Sequence, residues 1–466
     1  MMKTHSCKTT VDGEKKSRQT RDVHNNVLMI KLIQKPRENC RAQPSSTMII
    51  LSPKTLSPPP FLHLPHKNPN PKPPNFVCKS ELRTERGLEF EIGESFFRHE
   101  SAIGRDLGVL AASLYKKSKG ELKILDAMCG CGVRSLRYLV EAEADSVLAN
   151  DANDEYRRII LENLSRVPRG LGDEKRWVVT HFDANRVMTE CYLQKDYFDL
   201  IDIDSFGSDS SFLRSALCAL KLDGLVYVTS TDGFSSGGHR PYHSLAAYGA
   251  YVRSVPFSNE IGLRMLIGGA VREASVLGYH VTPLFSYYSY HGPVFRVMLR
   301  FNRGKLPIKR YYGFIGYCKQ CGHSEAFSWD KLGCITCPCN EANVSGSLRV
   351  IGPLWTGPLH NATYMTEMLN LAEEWGWTSN GMGLDLEKLL IRMIDESDPE
   401  LPAGYIKLDE VSRRAKVNSP PLKTMMSIMQ KEGYAVSRSH IVSNAIKTNC
   451  PMAMCVKIAK EINGSE

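Results

Sequence analysis

The feature that most constrains this chain is a run of short, β-rich apolar segments between residues 88 and 301. KILDAM, SVLAND, WVVTHF, FDLIDID and GLVYVTST follow one another at intervals that leave room for a helix between each pair. Strands joined by such long connections pair in parallel, and a parallel sheet must be covered by helices on both faces, so the stretch predicts an α/β domain. The last two segments break this rhythm. HVTPLFSYYSY and PVFRVMLRF are separated only by His291-Gly292, too short for a crossover, and must pair antiparallel.

A parallel sheet that ends in an antiparallel hairpin is the layout of a Rossmann-like class I methyltransferase domain, whereas a dehydrogenase would be expected to keep its last strands parallel. We place this domain at 81–301, a short cysteine-bearing insert at 302–348 and a third region at 349–466. In the third region LDEVSRRAKV, the link Asn418-Ser419-Pro420-Pro421 and LKTMMSIMQKEGY resemble a helix–turn–helix, with AVSRSH as a following strand. Prolines are tolerated at a helix start. The expectation is a smaller α+β, winged-helix-like C-terminal domain. No apolar run approaches the ~18 residues of a membrane-spanning helix, so no membrane partner is expected. Nothing marks an obligate protein partner.

The net charge of +9 invites a polyanionic partner, but its distribution matters. Residues 1–80 hold 14 Lys+Arg against 4 Asp+Glu, leaving 45 basic and 46 acidic residues in the rest. Eleven of the 25 prolines also lie in 1–80. Such a composition buries too little apolar surface to form a core, and it reads as a disordered tail. It is poor in acids and rich in hydroxyl residues, as transit peptides are, and the stretch from Met48 looks like a plastid leader. Chloroplast or mitochondrial import is the expectation, with nuclear or cytoplasmic residence the alternative. A local basic patch does appear at 407–460, where ten Lys+Arg face three Asp+Glu.

The first strand runs into DAMCGCG, Asp126 to Gly132. A turn containing Gly130 and Gly132 after a strand lets backbone approach a ligand closely. Asp151, 25 residues beyond Asp126, stands where an acid binds ribose hydroxyls, a spacing that also suits NAD. The third strand ends in HFDAN, which puts Asp183 near an adenine amine. Three acids at successive strand ends fit an adenosine cofactor, although each alone could be a helix N-cap. The fourth strand runs FDLIDID into Ser205-Phe206-Gly207. An acid followed by an aromatic suits methylation of an exocyclic amine such as the 2-amino group of guanine, whose lone pair is delocalised into the ring. A carboxylate that accepts an N–H bond localises the pair and later takes the proton. Asp204 is the expected acceptor and Phe206 the stacking surface. Asp202 lies on the same face of the strand and could be structural.

Fourteen cysteines without a secretory signal argue against a disulfide framework, and five fall within 318–339. Cys318/Cys321 and Cys334/Cys337 form two C-x2-C pairs with twelve residues between, the spacing of a closed, structural four-thiolate zinc site. Cys339 could replace Cys337, and His323 is adjacent but expected to be spare. Cys129 and Cys131 sit in the cofactor turn, where small side chains rather than nucleophiles are needed.

DAMCGCGVR, LAND, FDAN, DIDSFGS, the TSTDG of 229–233 and the GPLWTGPLH of 352–360 together resemble the tRNA (guanine-26-N2) dimethyltransferase family, over roughly residues 90–440. The resemblance implies S-adenosylmethionine as cofactor and tRNA as partner. It implies cofactor contacts from Arg105, Arg134, Asp151, Asp183 and Ala184, catalysis by Asp204, and a C-terminal domain that helps hold the tRNA. A non-catalytic RNA-binding protein that retains the fold is the competing reading. Two positions depart from the family pattern. Ser205 replaces the Pro that stiffens the catalytic loop, and Arg98-His99 stands where Asn-Pro is expected.

Overall fold

The computed structural model describes residues 81–170, 175–304, 311–339, 347–379 and 382–464. The tail read at 1–80 lies outside these described residues, all of which belong to one compact unit spanning Asn75–Glu466.

The chain enters through a hairpin, β1 (Leu82–Glu85) and β2 (Leu88–Glu91), and a long helix α1 (Ala102–Lys119). Helix α1 stops where the sequence says it should. Gly120 is left-handed (φ +83°), its amide donates to the Lys116 carbonyl, and lysines fill the last turn. Then strands and helices alternate: β3 (Lys123–Asp126), α2 (Val133–Val140), β4 (Ser146–Asn150), α3 (Arg157–Leu164), β5 (Trp177–Thr180), α4 (Ala184–Leu193), β6 (Phe198–Asp204), α5 (Ser210–Ala219) and β7 (Leu220–Ser230). After α6 (Gly233–Ser236), α7 (Pro241–Tyr248) and α8 (Ser258–Val276) come β8 (Tyr279–Ser289) and β9 (Val294–Arg303).

These strands form one seven-stranded sheet in the order β5-β4-β3-β6-β7-β9-β8. Neighbours from β5 to β7 are parallel, and β9 runs antiparallel to both β7 and β8. The expected terminal hairpin is present, with its second strand inserted inside the sheet. All five parallel strands therefore end at one edge, and β9 begins there. Such an edge, where helices on two faces diverge, is where α/β sheets bind ligands.

The insert is a three-stranded antiparallel sheet, β11-β10-β12, of β10 (Tyr312–Cys318), β11 (Ser324–Phe327) and β12 (Leu348–Trp355). Helices α9 (Ala362–Glu374) and α10 (Met382–Asp395) follow. Tyr364, Met365 and Met368 of α9 join the core that α1 builds with Leu107 and Leu110. A separate small core, from Leu408 to Ala459, holds β13 (Ile406–Lys407), α11 (Leu408–Ala415), α12 (Leu422–Lys431), β14 (Val436–Arg438), β15 (Ala445–Thr448) and α13 (Met452–Gly464). The anticipated pair of helices is α11 and α12, with Pro421 at the N-cap of α12. β14 and β15 make the wing, and β13 completes its sheet.

Two buried polar joints tie this module to the rest. Lys447 and Arg264 both bond Glu260 on α8, and Gly404 N donates to the same carboxylate. Burial opposes a charge on Glu260, but Lys447 and Arg264 outweigh it and hold the carboxyl below its usual range. In the second joint Glu396 accepts from the His440 amide and lies 3.0 Å from His440 Nδ1 and 3.7 Å from His360 Nε2. This trio has the composition of a metal site, but Ser286 N donates to His360 Nδ1 (3.3 Å). That bond puts the imidazole proton on Nε2, facing Glu396, and leaves the ring no lone pair for a cation. Glu396 is hydrogen-bonded to His440, and His360 Nε2 faces the same carboxylate at 3.7 Å.

Candidate active site and cysteine cluster

A cavity of about 510 Å³ opens at the C-terminal edge of the sheet. Of the residues anticipated for the cofactor, Arg105, Gly130, Arg134, Asp151, Asp183 and Ala184 line it, as do both residues anticipated for catalysis, Asp204 and Phe206. Gly130 is left-handed (φ +56°), and a Cβ there would meet nothing within 4 Å, so its bare backbone faces the open cavity. Its amide donates to Asp151 Oδ2 (2.9 Å), which fixes the acid that closes β4 against the turn that closes β3. Asp183 combines the expected N-cap with a place in the cavity wall. It caps α4, accepting from Arg186 N (3.2 Å), and it lines the cavity beside Ala184.

Two anticipated cofactor residues do not reach the cavity. Asp126 is fully buried under the turn, takes a hydrogen bond from Ser135 Oγ (2.7 Å), and is pushed up to about 8 by burial and by Asp202. Gly132 is the N-cap of α2 and turns its Cβ direction toward Ile160. Both shape the turn from behind. Cys129 and Cys131 line the cavity, but burial raises both thiols, which makes them poor nucleophiles at neutral pH.

The arginines are already engaged. Arg105 bonds Glu85 and the Arg98 carbonyl. Arg134 donates to Asp202 Oδ1 (2.6 Å) and pairs with Asp204 Oδ2 at 2.6 Å. Asp202 is fully buried, also accepts from Tyr138 Oη (2.7 Å), and has no wall in the cavity, so its part is to hold Arg134. Asp204 is the one of the two that is partly exposed, at 34% of its side chain. Burial alone would raise its pKa, but Arg134 and Arg296 outweigh that effect and hold the carboxyl below the usual range.

Phe206 projects from the loop after β6 with 72% of its surface exposed and meets Phe96 edge-to-face at 4.9 Å. Ser205, which replaces a stiffening proline, is buried, and its Oγ donates to the Thr229 carbonyl (3.0 Å). Gly207 N donates to Thr231 Oγ1 (2.7 Å), and Thr231 N returns a bond to Gly207 O (2.9 Å). The loop is thus pinned to the end of β7 at three points without proline.

Sequence reasoning missed Phe96, Thr229 and Arg296 in this wall. Arg296 had a signal, as one charge within the apolar run PVFRVML. Phe96 had none, because the turn that carries it is brought to the site by contacts distant in sequence.

The cysteine cluster forms, with one change of ligand. Cys318, Cys321, Cys337 and Cys339 gather with their sulfurs within 4.8 Å of one another. Three of the separations are 3.3, 3.3 and 3.7 Å. A tetrahedral zinc with ~2.3 Å bonds needs sulfurs about 3.8 Å apart, so the four thiols fit that ion. Cys334, anticipated as a ligand, is not among them. It ends a short 3-10 helix, Trp329–Cys334, and is exposed, and Cys339 takes its place. The Cys318–Cys321 knuckle is closed by Gly322 N to Cys318 O (2.8 Å) and by His323 N to Cys321 Sγ (3.4 Å). The His323 ring turns away toward Glu325, a spare residue as expected.

Known proteins resemble this chain over most of its length. The family model of the N2,N2-dimethylguanosine tRNA methyltransferases matches residues 84–460. The tRNA (guanine(26)-N(2))-dimethyltransferase of Pyrococcus horikoshii is 27% identical over 377 residues, 79% of this chain and 92% of that protein. The protein of that name in Metallosphaera sedula is 30% identical over 374 residues, covering 79% and 89%. The structure of Trm1 from Pyrococcus horikoshii with S-adenosyl-L-methionine superposes with a TM-score of 0.69 at 25% identity, over 81% of this chain and 99% of that one. The match runs through the sheet, the cysteine insert and the winged module alike, and on it this chain belongs to the N2,N2-dimethylguanosine tRNA methyltransferase family.

Proposed function

We propose that this chain methylates the exocyclic N2 of guanine 26 in tRNA with S-adenosylmethionine as donor. The observation that carries the reading is Asp204, an ionised carboxylate beside the exposed Phe206 ring, in a cavity walled by Asp151 and Asp183. The cofactor, when bound, supplies an electrophilic methyl group. Asp151 and Asp183 are suited to its ribose hydroxyls and adenine amine, and the bare backbone of Gly130 admits it closely. Arg105 and Arg134 supply positive potential from behind, held there by Glu85 and by Asp202 and Asp204.

Asp204 accepts an N–H of the guanine amine, which localises its lone pair, and then takes the proton. The two arginines make it a weak base. That suffices, because an amino group that has just gained a methyl carries a positive charge and is a strong acid. Phe206 and Phe96 offer rings for a base withdrawn from its stack. The test is methyl transfer to unmodified tRNA transcripts, with nucleosides resolved by mass spectrometry. N2-methylated guanosine at position 26 is expected. Tight tRNA binding with no transfer to any tRNA would overturn the reading in favour of a non-catalytic RNA binder.

Three companion readings accompany it. The four-thiol cluster would hold one structural zinc, since four thiolates leave no open position. The winged module would touch tRNA phosphates through exposed Arg413 and Lys416. Residues 1–80 would direct import into a chloroplast or mitochondrion, and a diffuse cytosolic signal from a fusion of these residues to a fluorescent reporter would refute that.

A further inference from the structure

Asp204, Thr229 and Arg296 lie at one level of three adjacent strands. Asp204 of β6 is in register with Thr229 of β7, and Thr229 with Arg296 of β9. Residues directly opposite one another share a face of the sheet, so the three side chains form a row along the cavity floor, on strands ~4.8 Å apart. Arg296 is 2% exposed, yet among the described residues its Nε and Nη1 have no hydrogen-bond partner. Its polar contacts from Nη2 to described residues are long, 3.4 Å to Ser101 Oγ and 3.9 Å to Asp204 Oδ1. The room for it exists because residue 104 is glycine, where a Cβ would come within 2.9 Å of Nε. The other two buried arginines of the wall are each held by carboxylates at close range, Arg105 by Glu85 and Arg134 by Asp202 and Asp204. A buried guanidinium with idle donors is costly unless something in the cavity accepts from it.

The row has an order, a carboxylate that accepts and then a guanidinium that donates. Guanine's pairing edge has the complementary order, the 2-amino and N1–H donors and then the O6 acceptor. We propose that Arg296 donates to O6 of the target guanine while Asp204 receives its N–H groups, which makes Arg296 the residue that selects guanine. The proposal rests on the methyltransferase reading above. The other oxygen-rich ligand of the cavity, the cofactor's carboxylate, is the less suitable partner. Arg296 lies across β3, β6 and β7 from β4 and β5, whose ends carry the acids that suit the cofactor.

The experiment is a cycle between protein and base. Single-turnover methyl transfer is measured for wild type, Arg296→Gln and Arg296→Lys, on tRNA carrying guanine or 6-thioguanine at the target. The thio base keeps N1–H and the 2-amino group and weakens only the acceptor at position 6. S-adenosylmethionine affinity is measured by calorimetry on each protein. Arg296→Gln should slow transfer to guanine by roughly 5- to 150-fold, the range of a lost base-edge contact. Wild type should disfavour 6-thioguanine, and Arg296→Gln should be nearly indifferent to it, with cofactor affinity unchanged. Arg296→Lys should fall between. An equal thio effect in wild type and variant overturns the proposal, as does a loss of cofactor affinity that accounts for the slower transfer. If Arg296→Gln fails to fold, wild type alone decides, because indifference to 6-thioguanine there also overturns it. Failure of wild type to methylate any tRNA would instead remove the underlying function.

Discussion

Asp204 and Asp202 both touch Arg134 yet have opposite expected consequences, and comparing the two amide variants tests the assignment of the site. Asp204→Asn preserves shape and removes the charge and the proton acceptor. Arg134 keeps its 2.6 Å bond to Asp202, so the buried cation is not left alone. Asp204 is also a third exposed, which dilutes its electrostatic contribution to folding. The expected stability change is about 1 kcal/mol or less, while a lost general base typically lowers the rate ~100- to 10,000-fold. Asp202→Asn does the reverse. It disturbs a fully buried acceptor that both Arg134 and Tyr138 bond, and although Arg134 keeps its 2.6 Å pair with Asp204 and burial already raises the Asp202 carboxyl, leaving buried donors unsatisfied costs about 1–3 kcal/mol. The assay is single-turnover transfer at saturating tRNA and cofactor, alongside thermal melting and cofactor calorimetry. Asp204→Asn should melt near wild type, bind cofactor normally and transfer slowly. Asp202→Asn should melt early. The reasoning fails if Asp204→Asn transfers at nearly the wild-type rate while Asp202→Asn, at a temperature where it is folded, does not.

The cysteine cluster separates its members. Elemental analysis should find one zinc per chain in wild type and in Cys334→Ser but none in Cys339→Ser, whose insert should unfold, and metal loss on Cys334→Ser would restore the paired C-x2-C reading. In the winged module, Arg413→Glu with Lys416→Glu should weaken tRNA binding and flatten its salt dependence, and an unaltered salt slope would mark these as idle surface charges. The Glu396 joint should be acid-sensitive. Burial, chiefly, lowers His360 to about 4, and Glu396 is held well below its usual range because hydrogen bonding and charge from His440 and His360 outweigh its burial. From pH 6.5 down to about 4 the unfolded chain gains a proton that folded His360 refuses, so stability falls with acid, by up to about 3 kcal/mol. Below the ordinary Glu range the loss of Glu396 adds to it. His360→Gln should flatten the pH dependence of melting between pH 5 and 6.5, and a slope equal to wild type would refute the account.

What was legible in the sequence divides by the range of the interaction that decides it. Each strand of the central sheet was visible in its own residues, because a buried parallel strand is a local apolar run. The hairpin was visible because His291-Gly292 leaves no length for a crossover. Asp204 was visible for the same reason, as an acid at the end of such a run. Side-chain direction was not. Counting residues made Cys334 half of a C-x2-C pair, but the 3-10 turn from Trp329 carries its thiol into solvent and leaves Cys337-Pro338-Cys339 to close the cluster. Charge counting put Arg414 in a tRNA-facing patch. Its guanidinium in fact bonds Glu410 and the carbonyls of Lys319 and Gln320, clamping the winged module to the cysteine knuckle, so most of its donors are already engaged within the protein. Ser205 shows the same limit from the other side. Read locally, the loss of proline softens the catalytic loop, since proline is the local way to fix a backbone. The fold fixes it by another route, a hydrogen bond of about 1 kcal/mol from Ser205 to the strand that also carries Thr229 and faces Arg296. The residue that departs from the family pattern therefore ties the Asp204 loop to the strand beside the proposed guanine-reading arginine.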